Sequence, residues 1–119
     1  MSAVLYERLG GAAAITSIAN DIVDLHQQNP RISPRFAGSD TPVLKRRVAT
    51  FFSMGTGGPS EYEGQAMLEA HRGMNIDCAE FIAVVDDALE ALRRNGVGQR
   101  EQEEVLFILY SMKADIVKV

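Results

Sequence analysis

The sequence holds a single cysteine, Cys78, so no internal disulfide can form and a reducing, cytoplasmic setting is the expectation. It holds two histidines, His26 and His71. With no second cysteine and no close triad of metal ligands beside them, zinc hydrolase and iron–sulfur chemistry are disfavoured. Neither histidine has a Ser or Cys neighbour in a recognised nucleophile motif. No apolar run approaches the roughly 20 residues needed to span a bilayer. The N-terminus also lacks the basic-then-apolar layout of a secretion signal, so no membrane partner is expected. Positive charge is scarce: the formal charge is −4, and the one dense basic group is Lys45-Arg46-Arg47 with Arg35 before it. That argues against a nucleic-acid partner. Ten glycines and four prolines are too few for a disordered tract.

What remains is an ordinary globular composition, 46% apolar and 24% charged, over 119 residues. One domain spanning 1–119 is expected, burying roughly two-thirds of its extended surface.

The apolar positions read as helices throughout. Leu5 to Leu9 predicts a short helix stopped by the Gly10-Gly11 pair. Ile15, Ile18, Ile22 and Leu25 predict a long one from about Ala12 to Gln28, ended by Asn29-Pro30. Arg31 to Asp40 is turn-like, anchored by Phe36. Thr41-Pro42 predicts a capping hydroxyl with proline at the first helical position, ahead of Leu44, Val48, Phe51 and Phe52. Asp77 caps a helix carrying Phe81, Val85, Ala88, Leu89 and Leu92, and Val105 to Ile116 defines the last. Between the pairs, Gly55 to Ile76 has little periodicity, apart from about two helical turns at Gln65 to Arg72 that carry His71 and stop at Gly73. Paired antiparallel helices in an all-α domain fit this pattern, as does a simple four-helix bundle. The bundle leaves the long irregular middle unexplained, since compact domains usually join helices in fewer than about twelve residues.

His71 is the residue most open to chemistry. An isolated histidine near a short helix suits haem iron, because the porphyrin supplies the other four ligands. The alternative is a helix-end histidine satisfied by a backbone carbonyl or by Glu69 or Glu63.

Five landmarks then bear on the choice: LYERLGG at Leu5 to Gly11, RFAGSD at Arg35 to Asp40, the Phe51-Phe52 pair, GGPSEYEG at Gly57 to Gly64, and EAHRGMNI at Glu69 to Ile76. In this order and spacing they resemble the truncated haemoglobins of group I, over nearly the whole chain. The resemblance implies a two-over-two helical fold around one haem b, with His71 as the proximal iron ligand. It implies that Phe36 packs on the porphyrin and that Phe51 and Phe52 close the pocket, although Phe52 also reads as plain core. Met67, Leu68, Ile76, Phe81 and Val85 resemble the apolar lining. Arg47, with Lys45 or Arg46 beside it, is placed to pair with a haem propionate or simply to be solvated. The His71 ring nitrogen away from the iron is expected to bond a carbonyl near Met67 or Leu68.

The chain departs from the family's pattern on the distal side. Oxygen-binding members generally carry a tyrosine at the position of Val23 and often glutamine or threonine at that of Val48; the remaining distal position is Leu44. Dioxygen gathers negative charge as a ligand, so an absent donor weakens it by about 1.5–3 kcal/mol, roughly ten- to a hundredfold. Preference for carbon monoxide and nitric oxide is expected. His26, one turn beyond Val23, is either a donor reaching this side or a satisfied histidine at a helix surface or interface.

Three functions follow from the resemblance and its departure. The first is reversible binding of oxygen, carbon monoxide or nitric oxide, for sensing, scavenging, storage or oxygen transport, needing no catalytic side chain. The second is nitric oxide dioxygenation or peroxidase-like turnover, which the apolar Val23 and Val48 disfavour. The third is an interaction module that has lost haem. A reductase that keeps the iron ferrous is the partner expected beyond the gases, and the chain is expected to be a monomer or weak dimer.

Overall fold

In the computed structural model the described residues are 3–59 and 71–118. They form helices, with one isolated bridge in place of any strand. Helix α1 (Leu5–Leu9) ends where Gly10 takes φ 115°, and a Cβ there would sit 2.7 Å from that of Ala14, so only glycine makes this turn. Helix α2 (Gly11–Gln28) starts one residue before the expected Ala12 and ends at Asn29, as the Asn-Pro pair predicts. Its inward face is Ile15, Ile18, Ala19, Ile22, Val23 and His26, at helical spacing.

A 3₁₀ turn at Ser33–Phe36 gives the turn-like stretch its one ordered element. Helix α3 (Thr41–Gly55) corrects the expected cap by one residue. Asp40 is the cap, its carboxylate accepting from the Val43 N–H at 3.1 Å. Thr41 lies inside the helix, and its hydroxyl accepts from Gln27 Nε2 at 2.9 Å, tying α3 to α2. Pro42 still sits in the first turn, where its missing N–H costs nothing.

Helix α4 (Cys78–Arg94) opens on the predicted Asp77, which forms a capping box: its carboxylate accepts from the Glu80 N–H at 2.7 Å, and Glu80 accepts from the Asp77 N–H at 3.2 Å. The last predicted helix is broken in two. Helix α5 (Gln99–Ser111) stops at Met112, and α6 (Lys113–Ile116) carries the chain back to Ile76. There Val117 bridges Ile76, and the Lys118 N–H donates to the Ile76 carbonyl at 2.8 Å.

Two helix pairs result, α2 with α3 and α4 with α5, joined where α2 packs on α4. The core between them includes Leu5, Leu9, Ile15, Ile18, Ala91, Leu92 and Val105. Each large side chain fully buried there is worth about 1.5–3 kcal/mol. Arg8 locks α1 to α5 by bonding Glu104 and Glu101. A side chain at Gly58 would run into Tyr6 and the Ser53 hydroxyl, so glycine lets the end of α3 close on α1. No described helix is long and apolar enough to cross a membrane. Met67, Leu68 and most of the short helix predicted before His71 lie outside the described residues.

Candidate functional site

Beyond Ile22 the helices part around a cavity of about 790 Å³. That is within the ~300–1,000 Å³ of sites that enclose a cofactor-sized ligand. Every element but α1 contributes a wall. Helix α2 brings Ile22 and His26, and the 3₁₀ turn brings Arg35 and Phe36. Helix α3 brings Leu44, Arg47, Val48, Phe51 and Phe52; α4 brings Glu80, Phe81, Val84, Val85 and Ala88. Leu109, Met112 and Ile116 close it from the C-terminal side, and His71, Met74 and Ile76 from the middle of the chain.

The cavity wall brings together His71, Phe36, Leu44, Arg47, Val48, Phe51, Phe52, Ile76, Phe81 and Val85. Val23 is fully buried but not on the cavity wall; its neighbour Ile22 is.

His71 is half-buried and helical, and the turn after it is tightly specified. Gly73 has φ 82° and Asn75 φ 50°, both left-handed; Asn tolerates that region better than most side chains. The Met74 N–H donates to the His71 carbonyl at 3.1 Å. The chain from His71 is then pinned at Ile76 by the C-terminal Val117 and Lys118.

Arg35 ties this turn to the opposite wall. Its guanidinium donates to the Met74 carbonyl at 3.0 Å and pairs with Glu80 through both carboxylate oxygens. Those Arg35 hydrogen bonds are the main reason the Glu80 carboxyl is held below the usual range, and Glu80 in turn raises Arg35. The segment carrying Phe36 and the segment carrying His71 are thus clamped to one helix, α4.

His26 joins α2 to α4 and also lines the cavity. Its Nδ1 lies 2.8 Å from Asp87 Oδ2, and Asn29 Nδ2 donates to both oxygens of the same carboxylate at 3.3 Å. The imidazole stacks on Phe36, with centroids 5.5 Å apart and planes at 22°. Sequence reasoning missed the Arg35–Glu80 clamp and the Asp87 partner, because both join residues far apart in the chain. It also missed the cavity role of Leu109, Met112 and Ile116, although their spacing of three and four had marked one helix face.

Comparison with known proteins bears on this architecture. The family model of bacterial-like globins matches residues 4–118. A group 1 truncated hemoglobin of Tetrahymena pyriformis is 26% identical over 113 residues, 95% of this chain and 93% of that one. The group 1 truncated hemoglobin GlbN of Synechocystis is 31% identical over 97 residues, 78% of each chain. Among solved structures, the Fe(III) truncated hemoglobin of Tetrahymena pyriformis superposes with a TM-score of 0.94 at 26% identity, covering 98% of this chain and all of that one. The 2/2 hemoglobin of Synechococcus, in the cyanomet state with covalently attached heme, gives 0.90 at 25% identity, over 97% of this chain and 98% of that one.

Proposed function

Because the chain belongs to the bacterial-like globin family, within which its relatives are group 1 truncated hemoglobins, we propose that it holds one haem b and binds small diatomic gases reversibly. The observation that carries this reading is the apolar cavity of about 790 Å³ with His71 on its wall. Haem, when bound, would supply an iron at which a diatomic gas is held. The residues present fit that group. Phe36, Phe51, Phe52, Phe81 and Val85 offer apolar surface to the macrocycle, whose burial repays area removed from water. Met67 and Leu68 belong to the same reading, though they lie outside the described residues.

His71 would hold the iron through a ring nitrogen, and the Gly73–Asn75 turn with its C-terminal strap positions the backbone that carries it. Arg47, exposed on α3 at the cavity rim, pairs with a propionate; it stays protonated and so is no iron ligand. One cysteine leaves no Cys-x-x-Cys-His run for covalent attachment through thiols, which favours haem b.

Leu44 and Val48 offer a gas no hydrogen bond, and Val23 is packed behind the wall. Oxygen is therefore held weakly, and carbon monoxide and nitric oxide, less polar as ligands, are preferred. Dioxygenation of nitric oxide draws on oxygen held by a donor, so binding rather than turnover fits these walls. A reductase keeps the iron ferrous, and the exposed Cys78 suits the reducing cytoplasm. Stopped-flow release of oxygen tests the reading. Release should be fast, and Val48→Gln, which adds a donor, should slow it about ten- to a hundredfold. Slow release from the unaltered protein, matching the variant, would overturn the apolar-pocket account.

A further inference from the structure

Among the described residues the cavity wall carries a buried base, His26, whose outer ring nitrogen makes no hydrogen bond. Asp87, as a carboxylate accepting from Asn29, can only accept at His26 as well, so Nδ1 carries the proton and donates it. With Nδ1 donating to Asp87, the tautomer that carries one ring proton leaves Nε2 with its lone pair. It makes no hydrogen bond among the described residues. The one buried side-chain nitrogen or oxygen without a partner among those residues is the Ser53 hydroxyl, so Nε2 is not sealed in; it touches open space. The His26 side chain is only 9% exposed and lines the cavity, which makes the cavity that space. Asp87 does not line it, so the ring spans the wall with its anchored edge behind and its free edge within.

We propose that the His26–Asp87 pair is a proton acceptor that selects small neutral weak acids, of the class of hydrogen cyanide, hydrogen sulfide and hydrazoic acid, as ligands of the ferric haem protein. This rests on the haem reading above. The acid HX enters the apolar cavity uncharged. Its H–X bond breaks, the proton forms the Nε2–H bond of His26 directly or through one water, and X⁻ keeps the electron pair. Nothing is oxidised or reduced. The resulting imidazolium is balanced by Asp87 behind it and donates back to X⁻ from Nε2. Carbon monoxide has no proton to give and gains nothing from this arrangement. Oxygen meets a lone pair where it needs a donor, in keeping with its weak binding.

Among the described residues the other charged groups on the cavity wall do not compete for this role. Arg35 and Glu80 are bound to each other, Arg47 carries a fixed positive charge, and His71 stands on the stretch of chain tied to Arg35. Phe36, stacked on the imidazole, holds its plane. The pair joins α2 to α4, so the base is fixed by the same two helices that frame the cavity.

Cyanide, present as HCN at pH 8, is the probe. Ferric hemin-loaded protein is mixed with it in stopped flow, with an indicator dye counting protons, beside His26→Leu and Asp87→Asn. The unaltered protein should keep the proton and release little. His26→Leu should release about one proton per cyanide, and the ratio of its cyanide to carbon monoxide association rates should fall about tenfold or more. Asp87→Asn, which keeps an acceptor for Nδ1 but loses the charge, should lie between them. Proton counts and rate ratios equal in all three proteins would overturn the inference and leave the haem reading intact, as would cyanide and carbon monoxide rates falling together. If His26→Leu does not fold, Asp87→Asn decides alone, and behaviour identical to the unaltered protein overturns the inference. An unaltered protein that takes up no hemin overturns the haem reading, and this inference with it.

Discussion

The two ends of this molecule are built from the same helices and behave differently. Toward α1, the stripe of α2 and the end of α4 meet side chain to side chain: Ile18, Leu92 and Val105 are at most 1% exposed. Toward the 3₁₀ turn, the continuation of those stripes, Ile22 and His26 on α2 and Phe81 and Val85 on α4, borders a cavity of about 790 Å³. One apolar periodicity serves both ends. A stripe at helical spacing thus says which face turns inward, but not whether another side chain or a bound group meets it.

Large-to-small substitution breaks the comparison most strongly. Leu92→Ala, at a site with no exposure, should cost about 2–5 kcal/mol in denaturant unfolding. Leu44→Ala, half-buried on the cavity wall, should cost less than about half of that in the haem-free protein, because its surroundings are already open on one side. Equal costs would mean the two ends are packed alike. The frame of the cavity is sharpened next by Asp77→Ala, which removes the capping box of α4 and should cost about 1 kcal/mol by the same measurement. At the rim, Arg47→Ala should speed haem transfer to a globin acceptor by about two- to fivefold, the modest size expected of an exposed ion pair. Unchanged transfer would remove the propionate contact from the account.

The smallest effect is one of pH, at the clamp between the walls. Arg35 hydrogen bonds, and the Asp77 N–H after them, hold the Glu80 carboxyl below its ordinary value of 4.5. Its stabilising contribution is therefore fully present above that value and is lost as pH falls through the lowered one. The Tm gap between the unaltered protein and Glu80→Gln should narrow on acidification below pH 4.5, by a small amount because the pair is solvent-screened. A gap independent of pH would show that the clamp contributes nothing through charge.

Much of this was legible in the sequence because it is local. Helix α1, the glycine turn after it, the span of α2 and the Asp77 cap each depend on a few adjacent residues. The error of one residue at the α3 cap arose because Asp40 and Thr41 are both capping types, and only the Val43 N–H decides between them. The break at Met112 was invisible for another reason: the chain beyond it pairs, at Val117 and Lys118, with Ile76, which lies far earlier in the sequence. Most of the predicted cavity residues were found through family resemblance rather than periodicity. His26 shows the limit of both. Its helix position was plain, but its ring is held by Asp87, sixty-one residues away, and by the stack on Phe36.

The central proposal is that His71 and this cavity would hold haem and leave it able to bind a gas, and the absorption spectrum of hemin-loaded protein tests it most directly. The ferrous protein should show a five-coordinate band that shifts on adding carbon monoxide, and His71→Gly should bind hemin on the order of a hundredfold more weakly. A protein that takes up no hemin, or a His71→Gly variant with unaltered affinity and spectrum, would contradict the account.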